Sequence, residues 1–241
     1  MFPAQPDFRL KGFEAADERV AEAFWQHIEI EQSDLTVLAE HHAPDGQHSH
    51  YVLHNGAVTW GIPGEPQIVA LHLQRETTSR TFRFEHATLP LPAMAQSWLI
   101  ARDCPKDAIR LPPELGTTAA DKATAALEER LMSDGDHFAL LHSYTADTAK
   151  VPQILVLLRA LDESAVLPFR ILLEEADLSL GTHTLREGGF STLEAATAWW
   201  DGWTVGQEVP LPVATQGTRR ITAPVAPASS PPVIQHPRLG R

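Results

Sequence analysis

The sequence predicts an α+β fold of two tandem modules, each an antiparallel meander sheet backed by helices, followed by a disordered C-terminal tail. Segments of alternating apolar and polar residues, typical of half-buried strands, are separated by turn residues. Segments with helical spacing flank each group of strands, and the order helix, strands, helix occurs twice. The predicted limits are residues 1–104 for the first module, 105–116 for a linker, 117–213 for the second module and 214–241 for the tail.

The first module begins with a helix predicted over residues 14–31, where Val20, Phe24 and Ile28 fall on one apolar stripe. The dipeptide Asn55-Gly56 is the strongest turn signal of the chain and predicts a tight hairpin. Five strands are predicted at residues 35–42, 48–54, 57–62, 68–75 and 80–87, and a second helix at 91–102.

The second module opens with a helix predicted over residues 117–132, with Thr117 or Thr118 as its N-cap. Its last helix, residues 191–203, starts with Ser191 and Glu194 at the spacing of a capping box. Four strands are predicted between the helices, at residues 137–145, 152–161, 166–175 and 182–187.

Matching residues in the two halves indicate a tandem duplication. The tripeptide Ala-Ala-Asp at 15–17 recurs at 119–121, an offset of 104. A second set of matches has an offset of 102, and it pairs Asp34, Glu85, Leu91, Ala93 and Trp98 with Asp136, Glu187, Leu193, Ala195 and Trp200. Two of the six tryptophans therefore fall at equivalent predicted places.

Composition favours a globular cytoplasmic protein. The chain is 43% hydrophobic and 21% charged, which is ordinary for a protein with a sizeable core. No stretch approaches the roughly 20 apolar residues of a membrane span, and the N-terminus has no signal-peptide pattern. Cys104 is the single cysteine, which excludes an internal disulfide and a cysteine zinc cluster. Arginine greatly outnumbers lysine, as in high-GC bacterial coding sequences.

Charge is distributed unevenly along the chain. The net charge is −12, but residues 214–241 contain four arginines and no acidic residue, which leaves about −16 for the rest. Because an acidic body repels phosphate backbones, we do not expect the folded part to bind nucleic acid. The tail is rich in proline and serine and lacks periodicity, which predicts disorder.

Five of the twelve histidines lie between residues 40 and 56. If tight turns at 44–46 and 55–56 fix the strand register, His42 opposes His48 and Glu40 opposes His50. Directly opposed residues share one face of a sheet. That face is predicted to collect Thr36, Glu40, His42, His48, His50, His54 and Thr59, with His72 joining it.

Such a face has three interpretations. It can be a solvated polar surface, a surface buried against the second module, or a metal site. Imidazole and carboxylate side chains from neighbouring strands can converge on one ion, and two histidines with a carboxylate suit zinc or non-haem iron. The candidate ligands are Glu40, His42, His48, His50 and His54. Otherwise no cofactor is expected.

The sequence contains no Gly-rich phosphate loop, no GxSxG elbow and no HExxH motif. The predicted function is therefore that of a non-catalytic binding or interaction protein. Its partner would be a protein or a small molecule. A homodimer is compatible with this hypothesis. The alternative is a metal-dependent enzyme that uses the histidine and glutamate side chains of the first sheet.

Overall fold

Two five-stranded sheets with flanking helices form the fold, which confirms the predicted α+β class with antiparallel meanders. The computed structural model describes residues 5–62, 64–147, 151–207 and 209–213. The predicted disordered tail, 214–241, lies outside these residues.

The first module contains strand β1 (Glu14–Ala15), helix α1 (Glu18–Phe24, continued by a π-helix at Trp25–Glu29), strands β2 (Leu35–His42) and β3 (His48–Asn55), helix α2 (Val58–Gly61), strands β4 (Ile68–Glu76) and β5 (Thr81–Leu89), and helix α3 (Pro92–Ile100). Short 3-10 helices lie at Gln32–Asp34 and Lys106–Ile109.

The second module repeats this order with β6 (Thr118–Ala119), α4 (Lys122–Asp134), β7 (Phe138–Ala146), β8 (Gln153–Ala160), β9 (Phe169–Asp177), β10 (Thr182–Phe190) and α5 (Leu193–Thr204). A 3-10 helix at Gly135–His137 links α4 to β7. The element corresponding to α2 does not occur among its described residues.

Both sheets have the same topology. The strand orders are β1-β5-β4-β3-β2 and β6-β10-β9-β8-β7, in which four antiparallel strands form a meander and the short first strand pairs in parallel with the last. The edge strand of each meander also carries a register shift at the same place, between Val37 and Ala39 in β2 and between Leu140 and His142 in β7. The internal similarity seen in the sequence therefore extends to local irregularities.

Equivalent aspartates start the first helix of each module. The carboxylate of Asp17 accepts a hydrogen bond from the Val20 amide, and that of Asp121 accepts one from the Thr124 amide. Each satisfies an amide that the first helical turn leaves unpaired. The Ala-Ala-Asp match thus marks corresponding positions. The predicted N-cap at Thr117 or Thr118 was wrong because Thr118 pairs with β10.

The predicted N-terminus of the last helix was also one residue early. Thr192, rather than Ser191, caps α5 and accepts a hydrogen bond from the Ala195 amide. Thr192 corresponds to Leu91 at the start of α3, which aligns Trp98 with Trp199. The predicted match of Trp98 with Trp200 was therefore wrong by one residue, since Trp199 is the equivalent position.

The predicted hairpin at Asn55-Gly56 was wrong, and so was the strand predicted at 57–62. The Asn55 side chain is buried, donates to the Glu31 carboxylate and accepts from the Ala57 amide. These bonds direct the chain into the one-turn helix α2 instead of a reversal. The next strand to pair with β3 is β4, so the first meander has four strands, not five.

Helix α3 joins the modules because it packs on both sheets. Ala95 and Leu99 lie in the core of the first sheet together with Val52 of β3. Met94 lies in a second core cluster with Val156 of β8. Helix α5 covers the opposite face of the second sheet, where Ala196, Trp199 and Trp200 pack on Leu155, Leu157 and Ile171.

The N-terminal segment covers the remaining face of the first sheet, beside α1. Phe8 makes edge-to-face contacts with Phe24 and Tyr51. The Tyr51 hydroxyl donates to the Asp7 carbonyl at 2.9 Å, and the Arg75 guanidinium donates to the Phe8 carbonyl at 2.6 Å. The N-terminal segment thus covers the face of the first sheet that corresponds to the face of the second sheet covered by α3.

Candidate functional site

A row of chemically active side chains crosses the first sheet. In the strand register, His41 of β2 opposes His50 of β3, His50 opposes His72 of β4, and His72 opposes Glu85 of β5. Opposed residues project from the same face. His48 lies two residues from His50 and therefore projects from that face as well. We call this group, with Arg102 after α3, the histidine cleft; its volume is about 480 Å³.

The structure divides the five predicted ligands between the two faces. The register shift beside Leu38 places Glu40 opposite Tyr51 and His42 opposite Ser49, so both lie on the Tyr51 face. The predicted pairs His42–His48 and Glu40–His50 were wrong, because a bulge inserts one residue and reverses the orientation of those after it.

Only His48 and His50 of the five predicted ligands line the cleft. His54 shares their face but lies opposite Ile68, further along β3. Burial lowers the pKa of His54, while Gln67 and Asp147 oppose that shift. His72 joins the row as predicted, whereas His41 takes the place expected for Glu40.

Glu40 and His42 belong to a separate structural contact on the other face. His42 Nδ1 lies 2.8 Å from the Ser49 hydroxyl, and its Nε2 lies 3.6 Å from Glu40 Oε2. Burial, followed by the charge of Arg9, lowers the pKa of His42. The Ser49 hydroxyl also accepts from Arg75, which ties this contact to the N-terminal segment.

The imidazoles of the cleft are in close mutual contact. His48 Nδ1 lies 3.0 Å from His72 Nε2, and the rings of His50 and His72 stack with centroids 4.3 Å apart and planes 9° apart. His50 Nε2 lies 3.1 Å from the Arg102 carbonyl. A carbonyl can only accept, so Nε2 carries the proton and Nδ1 presents a lone pair. His50 Nδ1 is buried and has no hydrogen-bond partner among the described residues.

Burial keeps the central imidazoles neutral. Desolvation lowers the pKa of His50, and the neighbouring His41 and His48 lower it further, against the opposing hydrogen bond to Arg102. Desolvation, then His50 and His48, lowers the pKa of His72 to about 4. Both rings are therefore unprotonated near neutral pH and can act as lone-pair donors.

One wall of the cleft is formed by an ordered cation. The Arg102 guanidinium carbon lies 3.4 Å from the centroid of the Trp98 ring, and Nε donates to Glu85 Oε2 at 2.9 Å. Stacking and ion pairing hold Arg102 in place, so that its carbonyl stays directed at His50. Burial raises the pKa of the nearby Cys104 thiol to about 12, so this cysteine is not a thiolate nucleophile.

The second module has a cleft at the equivalent place, and the sequence reasoning missed it. Tyr144 opposes Leu155, Leu155 opposes Leu173, and Leu173 opposes Arg186, which repeats the row that starts at His41. Its volume is about 1150 Å³. We call it the aromatic cleft; its lining includes Tyr144, Leu173, Arg186, Trp199, Trp203 and the segment 209–213. The tryptophans four residues apart were the available sequence signal.

The segment 209–213 forms one wall of the aromatic cleft. Trp199 Nε1 donates to the carbonyls of Val209 and Pro210, at 3.2 and 3.3 Å. Val213 forms an antiparallel bridge with Gly188 of β10. A Cβ at Gly188 would lie 2.7 Å from Leu211 Cδ2 and 3.3 Å from Pro212 Cδ, so a larger residue there would require the segment to shift.

Within the described ranges, no three or more His, Cys, Asp and Glu side chains already form a group able to hold a metal ion. No helix of the described chain is both long and apolar enough to cross a bilayer. No protein-family model, curated protein or solved structure matches the chain. The two clefts themselves are therefore the basis for inferring function.

Proposed function

We propose that this chain is a non-catalytic binding protein, built from a tandem duplication, and that its aromatic cleft holds an extended segment of a protein partner. The observation that carries the proposal is the segment 209–213, which the second module already binds along one wall of the cleft through backbone contacts. Its backbone is held by Trp199 and Gly188, and its Leu211 side chain packs on the core of the second sheet. The same donors and apolar surface suit a peptide from another chain.

Size and composition favour a peptide over a small molecule. A volume of about 1150 Å³ exceeds the roughly 300–1,000 Å³ of common small-molecule sites. Tyrosine, tryptophan and arginine are the residues most often found at the energetic centre of protein interfaces, and all three line this cleft. Tyr144 is 40% exposed, so its ring is accessible to a partner segment.

Two charged side chains of the aromatic cleft are held in place by neighbouring residues. Arg186 pairs with Asp121 at 2.5 Å, and Glu175 accepts a hydrogen bond from Gln153 at 2.7 Å. Both charged groups line the cleft. They can therefore select a partner segment by charge without large side-chain rearrangement.

Site-specific photo-crosslinking tests the proposal in the full chain. Tyr144 is replaced by p-benzoylphenylalanine, and Val166, 84% exposed in the β8–β9 connection, receives the same group as a matched control. We expect irradiation in cells to give a discrete heavier adduct from position 144 but not from 166. Adding Trp203→Ala should reduce that adduct at least fivefold, because it removes one aromatic wall of the cleft.

Mass spectrometry of the adduct identifies its composition. An adduct with a different protein, or with a second copy of this 26.5 kDa chain, supports the proposal. Equal labelling from positions 144 and 166 contradicts it, and so does a cross-link confined to residues 214–241 of the same chain.

A further inference from the structure

We propose that the histidine cleft binds one divalent transition-metal ion, such as zinc, through His48 Nδ1 and His72 Nε2, with His50 Nδ1 as the third ligand. This site lies in the first module and is independent of the peptide site proposed for the second. It differs from the sequence prediction, since Glu40, His42 and His54 take no part and His72 enters.

The nitrogen atoms of His48 and His72 already have nearly the required separation. They lie 3.0 Å apart. Two nitrogens on one tetrahedral zinc ion, each at about 2.0–2.1 Å, are separated by roughly 3.4 Å. If the His48 and His72 rings move apart by a few tenths of an ångström, a zinc ion can therefore replace the proton that the two nitrogens share. One strand partner of each ring, Gln74 for His48 and Glu85 for His72, also lines the cleft.

His50 has the hydrogen bonding that a metal-ligating histidine requires. Ligating imidazoles usually donate their other ring N–H to a carbonyl or carboxylate, which fixes the tautomer and the ring orientation. His50 Nε2 donates in this way to the Arg102 carbonyl, and Nδ1 is left buried without a partner. His50 is only 3% exposed, so an unused lone pair there is costly. A bound ion would satisfy it.

One rotation is needed to assemble the three ligands. His50 and His72 stack with planes 9° apart, so their lone pairs lie in nearly parallel planes rather than pointing at one position. The three ligands can assemble if the His72 ring tilts out of this stack while its Nε2 keeps its position beside His48 Nδ1. The cleft of about 480 Å³ leaves room for this motion and for a water molecule as fourth ligand.

Neutral imidazoles favour the ion, since a protonated ring has no lone pair to donate. His50 and His72 are both buried, at 3% and 4% exposed. Glu85 contributes a negative charge at the mouth of the cleft, although Arg102 partly neutralises it. The site therefore offers three imidazole nitrogens and one nearby carboxylate to a divalent cation.

Equilibrium dialysis and titration calorimetry with zinc chloride test the site on full-length protein stripped with a chelator. We expect one equivalent of zinc bound with a dissociation constant in the micromolar range or below. The double variant His48→Gln/His72→Gln should weaken binding at least 30-fold, because it removes two of the three ligands. Glutamine retains hydrogen-bonding groups, and circular dichroism checks that the variant folds.

His86→Gln is the matched control. The His86 ring packs at a tilt against the His27 ring, with centroids 4.5 Å apart, on the opposite face of the same sheet and outside the cleft. It should bind zinc as the unaltered protein does. Binding weaker than about 100 µM, or binding that the double variant and the control reduce equally, would show only adventitious surface imidazoles and overturn the proposal. If the glutamine double variant fails to fold, His50→Gln replaces it and should weaken binding at least fivefold, because it removes one of the three ligands.

Discussion

Replacing Glu174 by glutamine tests how burial shapes the second module. Glu174 lies on β9, opposite Leu185 of β10 and Ile154 of β8, on the face that α4 covers. A polar cluster adjoins it, in which His183 Nε2 lies 2.9 Å from Glu128 Oε1. Burial is the main cause that raises the pKa of Glu174 to about 6; the charge of Glu128 adds to the shift and His183 opposes it.

Glu174 changes the stability of the folded state with pH, because its protonation is linked to folding. Because the folded state holds the Glu174 proton more tightly than the unfolded state, stability is lost as the pH rises from about 4.5 to about 6. The difference between the two pKa values is roughly 1.5 units, which corresponds to about 2 kcal/mol above pH 7. Glutamine is neutral and has a similar shape. The substitution should therefore raise the free energy of unfolding by up to about 2 kcal/mol at pH 8 and change it little at pH 4.5.

Urea unfolding at pH 8 and pH 4.5 measures this difference. Glu175→Gln is the control, since Glu175 is the adjacent residue, lies on the opposite face and is exposed. It should change the free energy of unfolding by less than about 0.5 kcal/mol at either pH. An equal gain from Glu174→Gln at both pH values, or a loss at pH 8, would refute the argument from burial.

Two further substitutions test the packing between and within the modules. Gly64→Ala should lower the free energy of unfolding by about 1–3 kcal/mol in thermal or urea denaturation. Gly64 has a φ of +91°, and an added Cβ would lie 2.6 Å from the Tyr144 ring of the second module. Phe8→Ala should cost about 3–5 kcal/mol, because it removes the aromatic contacts to Phe24 and Tyr51 that close the first sheet. A loss below about 1 kcal/mol on replacing Phe8 would show that the N-terminal segment does not support the core.

Local signals in the sequence predicted most of the elements. Strand β2 was predicted with its observed limits, and β4 was predicted to within one residue. The caps at Asp17 and Asp121 explain why a three-residue match located the start of both modules. The two-residue strands β1 and β6 were missed, because so short a stretch has no periodicity to recognise.

The orientation of the histidines was only partly predictable. Alternation correctly grouped His48, His50 and His72 on one face. The bulge beside Leu38 has no sequence signature of its own, yet it moved Glu40 and His42 to the other face and brought His41 into the row. The hairpin predicted at Asn55 was wrong for a related reason. The Asn55 side chain hydrogen-bonds to Glu31, a residue distant in sequence, and local patterns do not reveal such a contact.

The sequence by itself determined the repeated order of helices and strands, because caps and hydrophobic periodicity act over a few neighbouring residues. Tertiary structure decided which side chains meet. Helix α3 packs on both sheets, and the bulge in β2 aligns His41 with His50, through contacts between residues far apart in the chain. Burial and register depend on those distant contacts, so the chemistry of both clefts emerged only when the sheets were assembled.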